Sequence, residues 1–468
     1  MSQTSSKAFT PSGFVYKSTD LPEATKKDHK KLGLSTDDVI FLFREMYLQR
    51  RFEERAAQMY QKGKFGGFLH LYIGQEALSS GVNYVLQPDD DIITAYRDHG
   101  WGLVRGITAK QGMAELFGKV TGCSRGKGGS MHYFNAEGHM WGGHGIVGAH
   151  IPVAAGLAFA NKYQENGRIA AGFFGDGAVD QGALHEAFNL AQLWKLPVLF
   201  VVENNGYSMG TAANRHTATD IYKRALGYDM KHAVVNGMDL FSVIDKMQEV
   251  AKDIRENSNP WFLEIRTYRY RGHSMSDPGN YRTKEELEEF KNTDPIERLK
   301  EYILSKKIAK KEDLDAIMDD FSSGQRGSLR LACTSSALTG RLPELLAKFA
   351  AKYPGIEIAI SEMGAAKALL SLDEGQADIA IVSDNYDFKR FEIRPFEDER
   401  VWVLVPPEHE LAASIEPRKS VSFDTVIPHS IVGIHHAGSL DRLLGEAAEK
   451  LGHPLKEALR VESFPALV

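Results

Sequence analysis

The chain has 468 residues, of which 43% are hydrophobic and 25% charged, so it is long enough for two or more globular domains. A formal net charge of −6 argues against a nucleic-acid-binding surface as the main function. Cys123 and Cys333 are too few and too far apart for a disulfide framework or a cysteine metal cluster, which favours a reducing compartment. No apolar run reaches the length of a membrane span, and the N-terminus lacks the pattern of a signal or transit peptide. We therefore predict a cytoplasmic protein without a membrane partner.

The N-terminal residues divide into a polar arm and a helix. Residues 1–34 are polar and rich in lysine, and they predict an extended arm that is mobile unless a partner holds it. Ser35, with Asp38 three positions later, is a helix-start signal. The apolar residues of 39–62 recur at helical spacing and predict a long helix.

Two isolated polar residues follow. His70 precedes a helix predicted over 77–86, and Arg97 comes at the end of a strand that begins near Asp91. A lone histidine is more often structural than catalytic, and Arg97 is compatible with a plain ion pair. Their significance depends on what lies beside them.

Glycines are concentrated in residues 122–145, directly before a helix predicted over 147–161. The GxxxxGK[ST] spacing of a Walker phosphate loop is absent there. Two interpretations stay open, which are a flexible loop and a segment whose backbone contacts a ring-shaped ligand.

The stretch 169–210 has the pattern of a strand, a helix and a second strand, with polar residues at the turns. Asp176 follows the first strand and Asn205 follows the second. Because the carboxyl ends of parallel strands meet at one rim of a sheet, we expect these two side chains to lie close together. Their oxygens suit a hard cation that shares a phosphate, and the glycines beside Asp176 permit close backbone approach. The alternative is that both residues are ordinary turn formers.

A further strand is predicted over 261–266, and the basic, aromatic segment 267–279 follows it with His273 inside. This segment is either a site or a solvated loop. Helix starts are predicted at Thr283 and Asp294, and the helical region ends near residue 321.

Gly175-Asp176-Gly177, followed after about thirty residues by Asn204-Asn205, resembles the diphosphate-binding motif of thiamine-diphosphate enzymes. Together with segments 66–76, 122–147 and 267–279, it makes residues 36–320 similar to α subunits of the E1 component of 2-oxo acid dehydrogenase complexes, most closely the pyruvate type. The resemblance implies an α/β fold with a thiamine-diphosphate-binding parallel sheet.

The same resemblance implies a set of site residues. The Mg²⁺ ligands would be Asp176, Asn205 and the backbone carbonyl of Tyr207. The diphosphate contacts would come from Gly177, Ala178, Tyr96, Arg97 and His273, and the aminopyrimidine contacts from Gly145 and Val147. His70 would face the substrate, and His70 and His273 are the two residues expected to take part in catalysis.

The implied reaction is thiamine-diphosphate- and Mg²⁺-dependent oxidative decarboxylation with acyl transfer to a lipoyl group. In the family, a β subunit supplies a required glutamate, so an α₂β₂ heterotetramer serving a lipoyl-bearing E2 acyltransferase is expected. The segment Tyr270–Pro278 favours pyruvate over a branched-chain 2-oxo acid or acetoin. Ser274 matches a residue phosphorylated in mitochondrial relatives, but a plain loop serine is the favoured interpretation here.

Residues 328–468 have a different character. Strands predicted over 328–333, 356–361 and 378–382 alternate with helices over 341–352 and 364–374, a pattern typical of an open parallel sheet. This part resembles the effector-binding domain of LysR-type regulators, a partial periplasmic-binding-protein-like α/β domain that is incomplete at its C-terminus. Residues 399–405 would be its crossover strand, and Thr334-Ser335-Ser336 would lie at an effector cleft. No helix-turn-helix precedes it, so no nucleic-acid partner is expected.

We therefore predict a polar arm over 1–34, an E1α-like domain over 35–321, a junction over 322–327 and a LysR-type domain over 328–468. Three hypotheses follow, which are a thiamine-dependent dehydrogenase subunit, a small-molecule sensor with an enzyme-like scaffold, and a chimera whose parts fold separately. The intact pair Asp176 and Asn205, with Arg97 and His273, favours the first.

Overall fold

A computed structural model of the chain describes residues 17–323, 326–374, 376–383, 386, 388, 391–398, 401–414, 419–434 and 439–461. The chain divides into two compact units, Met1–Gly324 and Gln325–Val468. Each unit contains its own parallel sheet. Within those described residues, no helix is both long enough and apolar enough to cross a bilayer.

The first unit alternates strands and helices. Its strands are β1 (Asp91–Ala95), β2 (Met140–His144), β3 (Ala170–Gly175), β4 (Val198–Asn204), β5 (Tyr207–Ser208), β6 (Thr211–Ala212), β7 (Lys231–Asn236) and β8 (Trp261–Arg266). Its helices are α1 (Thr36–Gln61), α2 (Glu76–Val85), α3 (His99–Val104), α4 (Ala109–Leu116), α5 (His150–Tyr163), α6 (Gly182–Trp194), α7 (Ala213–His216), α8 (Leu240–Asn257), α9 (Lys284–Lys291), α10 (Pro295–Ser305) and α11 (Lys311–Ser323). Six of the strands form a parallel sheet in the order β2-β1-β3-β4-β8-β7, and β5 pairs with β6 in a separate antiparallel hairpin.

Helices cover both faces of this sheet, which explains why its central strands are apolar throughout. Every residue of β4 is buried. Phe173 of β3 belongs to the core cluster on one face, and Phe174 belongs to the cluster on the other. Trp101 stacks on Phe173 with 3.8 Å between ring centroids. The sheet is therefore a rigid support for the residues that follow its strands.

Helix starts lie where the side chains predict them. The Ser35 Oγ accepts a 3.1 Å hydrogen bond from the amide of Asp38, and the Asp38 carboxylate accepts one from the amide of Ser35. The Asp294 carboxylate caps α10 in the same way through the amides of Ile296 and Glu297. Such caps satisfy backbone amides that the helix itself leaves without partners.

The N-terminal arm was predicted to be mobile unless a partner holds it, and over residues 17–34 the first unit itself supplies hydrogen-bond partners. The amide of Thr25 donates a 2.8 Å hydrogen bond to Ser242 Oγ, and Nδ1 of His29 lies 2.6 Å from the hydroxyl of Tyr302. Pro22 accepts a hydrogen bond from the Asn236 amide. The polar sequence suggested solvent, but polar side chains of the first unit itself supply the partners. Residues 1–16 of the predicted arm lie outside the described residues.

The second unit has the predicted alternation. Its strands are β9 (Arg326–Cys333), β10 (Gly355–Glu362), β11 (Ile379–Ile381), β12 (Ser430–Ile434) and β13 (Lys456–Val461). Its helices are α12 (Ser335–Thr339), α13 (Leu342–Lys352), α14 (Ala365–Asp373), α15 (Glu410–Ser414), α16 (Phe423–Val426) and α17 (Ser439–Leu451). A parallel sheet has the order β10-β9-β11, and β12 pairs in parallel with β13.

The predicted crossover strand is wrong over residues 401–405, which adopt no regular structure. Trp402 is 63% exposed and Leu404 is 79% exposed, so these apolar side chains enter no core. A strand needs a neighbouring edge to pair with, and the apolar sequence alone does not provide one. Residues 399 and 400 of the predicted strand lie outside the described part of the chain.

Candidate functional site

The first group of site candidates lies at the carboxyl ends of β3 and β4. These strands are neighbours, with Gly175 paired to Glu203; Asp176 directly follows Gly175, and Asn205 directly follows Asn204, the last residue of β4. Both side chains are buried. We define the rim cluster as Asp176, Gly177, Ala178, Asn205 and Tyr207, which all belong to the two turns at this rim. The carboxyl ends of β3 and β4 are thus adjacent, as predicted, and the proximity of the two side chains stays a prediction.

Close packing fixes the backbone of the rim cluster. A Cβ atom on Gly177 would lie 2.0 Å from Ser208 Oγ, so any side chain there would require Ser208 to move. The Asn205 amide donates a 3.1 Å hydrogen bond to Gln75 Oε1, and the amide of Tyr207 donates one of 3.4 Å to Asn205 Oδ1. The side-chain nitrogen of Asn205 is thus bonded to Gln75, and its side-chain oxygen faces the backbone amide of Tyr207.

The oxygens of the rim cluster match the chemistry of a hard divalent cation. They comprise one carboxylate from Asp176, one amide oxygen from Asn205 and the backbone carbonyl of Tyr207. Mg²⁺ binds through such oxygens and retains other positions for water and phosphate. Among the described residues, no group of three or more His, Cys, Asp or Glu side chains has metal-binding geometry, so a cation here would depend on the amide and carbonyl oxygens.

A second group lies beside the rim cluster. We define the histidine cluster as His70, Tyr96, Arg97 and His273. The His70 ring centroid is 4.7 Å from that of Tyr96 and 5.2 Å from that of His273. Arg97 Nη1 donates to the carbonyl of Leu71 at 2.6 Å and Nη2 to that of His273 at 2.8 Å. Arg97 therefore joins two segments that are distant in sequence.

The electrostatics of the histidine cluster keep both imidazoles neutral. Burial, reinforced by the Arg97 cation, lowers the pKa of His70 to about 2 and that of His273 to about 3. Burial also lowers the pKa of Arg97 to about 10, which still leaves it charged at neutral pH. The Nδ1 atoms of both histidines are buried and have no hydrogen-bond partner among the described residues. Such a nitrogen can donate to an anionic ligand such as a diphosphate when it carries the ring proton, and the adjacent guanidinium supplies a positive charge for the same ligand.

Arg269 links the two clusters and was not identified from the sequence. It is 2% exposed, and its Nη1 donates a 3.4 Å hydrogen bond to the carbonyl of Tyr207 while Nη2 donates to the carbonyl of Met209. Its charge contributes to the lowered pKa values of His70 and His273. Gln75, which accepts from Asn205, was also missed. Both residues lie in segments that carry the family resemblance, but only their neighbours in space show what each of them contacts.

The segment of Gly145 and Val147 follows β2 and lies on the same edge of the sheet. Val147 is 42% exposed. A Cβ atom on Gly148 would lie 2.8 Å from Cγ of Gln181, which shows how closely this segment approaches the turn that carries the rim cluster. Both residues remain predicted contacts for a ring.

A buried polar network holds the backbone next to the histidine cluster. Nδ1 of His99 lies 2.9 Å from Glu53 Oε2, and its Nε2 lies 3.0 Å from Ser130 Oγ. Ser130 Oγ accepts from the amide of His70, and Glu53 accepts from the amide of Tyr72. Burial opposes a charge on His99, but Glu53 raises its pKa. The network thus fixes the backbone on both sides of Leu71.

Comparison with known proteins places these features in a family. Residues 44–323 match the family model described as dehydrogenase E1 component, and residues 322–468 match that of the LysR substrate binding domain. The pyruvate dehydrogenase E1 component subunit alpha of Rickettsia bellii is 50% identical over 282 residues, which are 60% of this chain and 86% of that protein. The corresponding protein of Rhizobium meliloti is 48% identical over 285 residues, 60% of this chain and 82% of that one.

A eukaryotic relative shows the same match. The mitochondrial pyruvate dehydrogenase E1 component subunit alpha of Dictyostelium discoideum is 49% identical over 284 residues, 60% of this chain and 74% of that protein. The match to the E1 family model, over residues 44–323, covers the part of the chain that carries the rim and histidine clusters. The chain belongs to the dehydrogenase E1 component family as an E1 α-like enzyme chain, and its C-terminal part matches the LysR substrate binding domain.

Proposed function

We propose that the chain is the α subunit of a pyruvate dehydrogenase-type E1 component that uses thiamine diphosphate and Mg²⁺. The observation that carries this proposal is the rim cluster, where three oxygens that can bind a metal follow adjacent parallel strands. Arg97 and two unpaired imidazole nitrogens of the histidine cluster accompany them. An ordinary turn would not need two neutral histidines with buried, unpaired Nδ1 atoms beside a buried guanidinium. The relatives named above are pyruvate dehydrogenase α subunits, which supports the choice of substrate.

The residues divide the binding of the cofactor between them. Asp176, Asn205 and the carbonyl of Tyr207 hold the Mg²⁺, and the backbone of Gly177 and Ala178 receives the diphosphate. Arg97 neutralises charge on the same group, Tyr96 and His273 orient it, and Gly145 and Val147 contact the aminopyrimidine ring. Thiamine diphosphate, when bound, supplies the nucleophilic carbon and the electron sink for decarboxylation of a 2-oxo acid.

His70 acts on the substrate side. Because burial lowers its pKa to about 2, the imidazole is neutral and exchanges hydrogen bonds with substrate oxygens without adding a positive charge. The amide of His70 donates a 3.1 Å hydrogen bond to Ser130 Oγ, which keeps the backbone at this position fixed. A fixed, neutral hydrogen-bonding group is suited to orienting a 2-oxo acid.

The exposed apolar side chains of α5 favour an interface with a partner chain. Val153 is 45% exposed, Phe159 48% and Tyr163 83%, and Trp194 beside them is 45% exposed. We call these four residues the α5 patch; Phe159 lies with its ring centroid 5.4 Å from that of Trp194. Exposed apolar side chains that contact one another, as Phe159 does Tyr163 and Trp194, are typical of a protein interface. We propose that an E1 β chain covers it in an α₂β₂ heterotetramer and supplies the missing acidic residue, and that the assembly serves a lipoyl-bearing E2 acyltransferase. The cytoplasm remains the predicted compartment.

The proposal is tested by reconstitution. The full chain is mixed with a matching E1 β subunit, thiamine diphosphate and Mg²⁺, and reduction of an artificial electron acceptor is measured with pyruvate, a branched-chain 2-oxo acid or acetoin. We expect activity with pyruvate that requires both chains and both cofactors. A tetramer that forms and remains inactive with all three substrates would contradict the proposal, and preference for either of the other two would reassign the substrate.

A second candidate function rests on the match of residues 322–468 to the LysR substrate binding domain. In that case the C-terminal unit senses a small molecule. Thr334, Ser335 and Ser336 are the predicted cleft residues; Ser335 hydrogen-bonds to Glu362 at the end of β10. A sensor predicts that one of a panel of small organic acids raises the melting temperature of the second unit. No shift with any of them would support the chimera, in which this part is a folded passenger.

A further inference from the structure

Asp176 lies at one end of a hydrogen-bonded series of side chains. The other members of the series lie outside the Gly175-Asp176-Gly177 motif. Nε2 of His216 lies 3.1 Å from Asp176 Oδ2, and Nδ1 of the same ring lies 2.8 Å from Asp180 Oδ2. Nη2 of Arg224 donates a 2.6 Å hydrogen bond to Asp180 Oδ1. Arg224, Asp180 and His216 therefore form an ordered series that ends on the carboxylate of the rim cluster.

The position of His216 connects it to a second member of the rim cluster. It is the last residue of α7, which directly follows the β5–β6 hairpin that begins at Tyr207. The amide of Ala213 at the start of α7 donates a 3.0 Å hydrogen bond to the carbonyl of Gly206. The segment that brings the Tyr207 carbonyl to the rim thus also brings the imidazole to Asp176.

Burial separates this arrangement from an ordinary surface ion pair. The Asp176 side chain is 2% exposed and that of His216 is 14% exposed. A carboxylate removed from water needs a fixed partner, whereas exposed pairs contribute little. Metal-binding side chains are commonly held by such outer partners, whose loss weakens metal binding by 10- to 100-fold.

We propose that His216 is a positioning residue for the cation site: through Nε2 it holds one oxygen of Asp176, so that the carboxylate presents its other oxygen to the divalent cation. This inference rests on the proposed function, because it assigns a role toward the cation of that site. Asp180 and Arg224 orient the imidazole through Nδ1 and take no part in binding. No motif assigns His216 to this site.

Two conservative variants separate the two contacts of the ring. The side-chain amide of glutamine reaches approximately the position of Nε2, so His216→Gln keeps a donor for Asp176. The shorter amide of asparagine reaches approximately the position of Nδ1, so His216→Asn keeps the contact to Asp180 and loses the one to Asp176. Both variants are polar and of similar size, which makes them a matched pair.

The experiment measures binding and not turnover. The full chain is assembled with its E1 β subunit, and Mn²⁺ is titrated in the presence of saturating thiamine diphosphate while free Mn²⁺ is followed by electron paramagnetic resonance. We expect the Kd for Mn²⁺ to rise about tenfold in His216→Asn and in His216→Ala, and to stay within about threefold of wild type in His216→Gln. Equal weakening in the Asn and Gln variants would reduce His216 to a structural role, and unchanged or tighter binding in His216→Asn would overturn the proposal.

The same titration separates this inference from the proposed function. If the wild-type assembly binds no Mn²⁺ in a cofactor-dependent manner, the proposed function fails and the His216 variants are uninformative about each other. If the wild type binds and Asp176→Ala does not, the site is correctly identified. Differences among the His216 variants then decide the role of His216 alone. Thermal melting of each variant checks that the chain remains folded.

Discussion

Asp176→Ala is expected to lower the activity of the assembled enzyme by about 1000-fold, which corresponds to about 4 kcal/mol of lost transition-state stabilisation. Asp176 supplies the carboxylate among the three proposed oxygen ligands, and an amide and a carbonyl oxygen alone bind Mg²⁺ weakly. The cofactor diphosphate then loses its main counter-charge. The measurement is pyruvate-dependent reduction of an artificial acceptor, accompanied by the Kd for thiamine diphosphate at fixed Mg²⁺.

A matched control is Asp220→Ala. Asp220 is an aspartate of the same unit whose side chain is 50% exposed and pairs with Lys223. Because exposed pairs contribute little, we expect its activity to stay within about twofold of wild type. Retention of near-normal activity and cofactor affinity by Asp176→Ala would show that the cation, if bound, has other ligands.

Phe159→Asp is expected to prevent assembly with the E1 β chain. Phe159 packs between Trp194 and Tyr163 in the α5 patch, with ring centroids at 5.4 and 6.5 Å. A carboxylate buried at this position without a partner costs about 3 kcal/mol, which weakens association about 100-fold or more. Analytical ultracentrifugation of the mixed chains would then show separate α and β species at micromolar concentration, and activity would be lost with assembly.

The control for that experiment is Phe396→Asp, which places the same charge on an exposed phenylalanine of the second unit. Phe396 is 43% exposed, close to the value for Phe159. We expect this variant to assemble and react as the wild type does. If Phe159→Asp forms the tetramer normally while remaining folded by circular dichroism, the α5 patch is not the β-chain interface.

Much of the first unit was predictable from local pattern. Continuous apolar runs marked β3, β4 and β8, because a strand buried on both faces of a parallel sheet has no polar side. The helix starts at Ser35 and Asp294 were also predictable, since a cap depends on side chains within three residues of the amides that it satisfies. These features are local, so the sequence contains all the information that they require.

The features that the sequence left open or predicted wrongly have one physical cause. Each depends on partners that are distant in the sequence. Residues 17–34 were expected to be mobile unless a partner holds them, and the sequence did not show that Ser242 and Tyr302 of the same unit are such partners. Residues 401–405 have the composition of a strand but no pairing edge among the described residues. Polarity and β-propensity predict what a segment can do, and tertiary contacts decide which of these options is realised.

The sequence by itself determined the strand, turn and helix frame that puts Asp176 and Asn205 at the ends of adjacent strands, because parallel topology requires that both ends meet at one rim. It also determined the family, through motifs whose spacing is local. Only the tertiary structure identified the contacts of Gln75 and Arg269, which lie on segments distant from β3 and β4, and of His216, whose chain folds back onto Asp176 after the β5–β6 hairpin. The neutral state of His70 and His273 was likewise decided by burial beside Arg97, since a histidine's pKa is set by the groups that surround it in space and not by its neighbours in the chain.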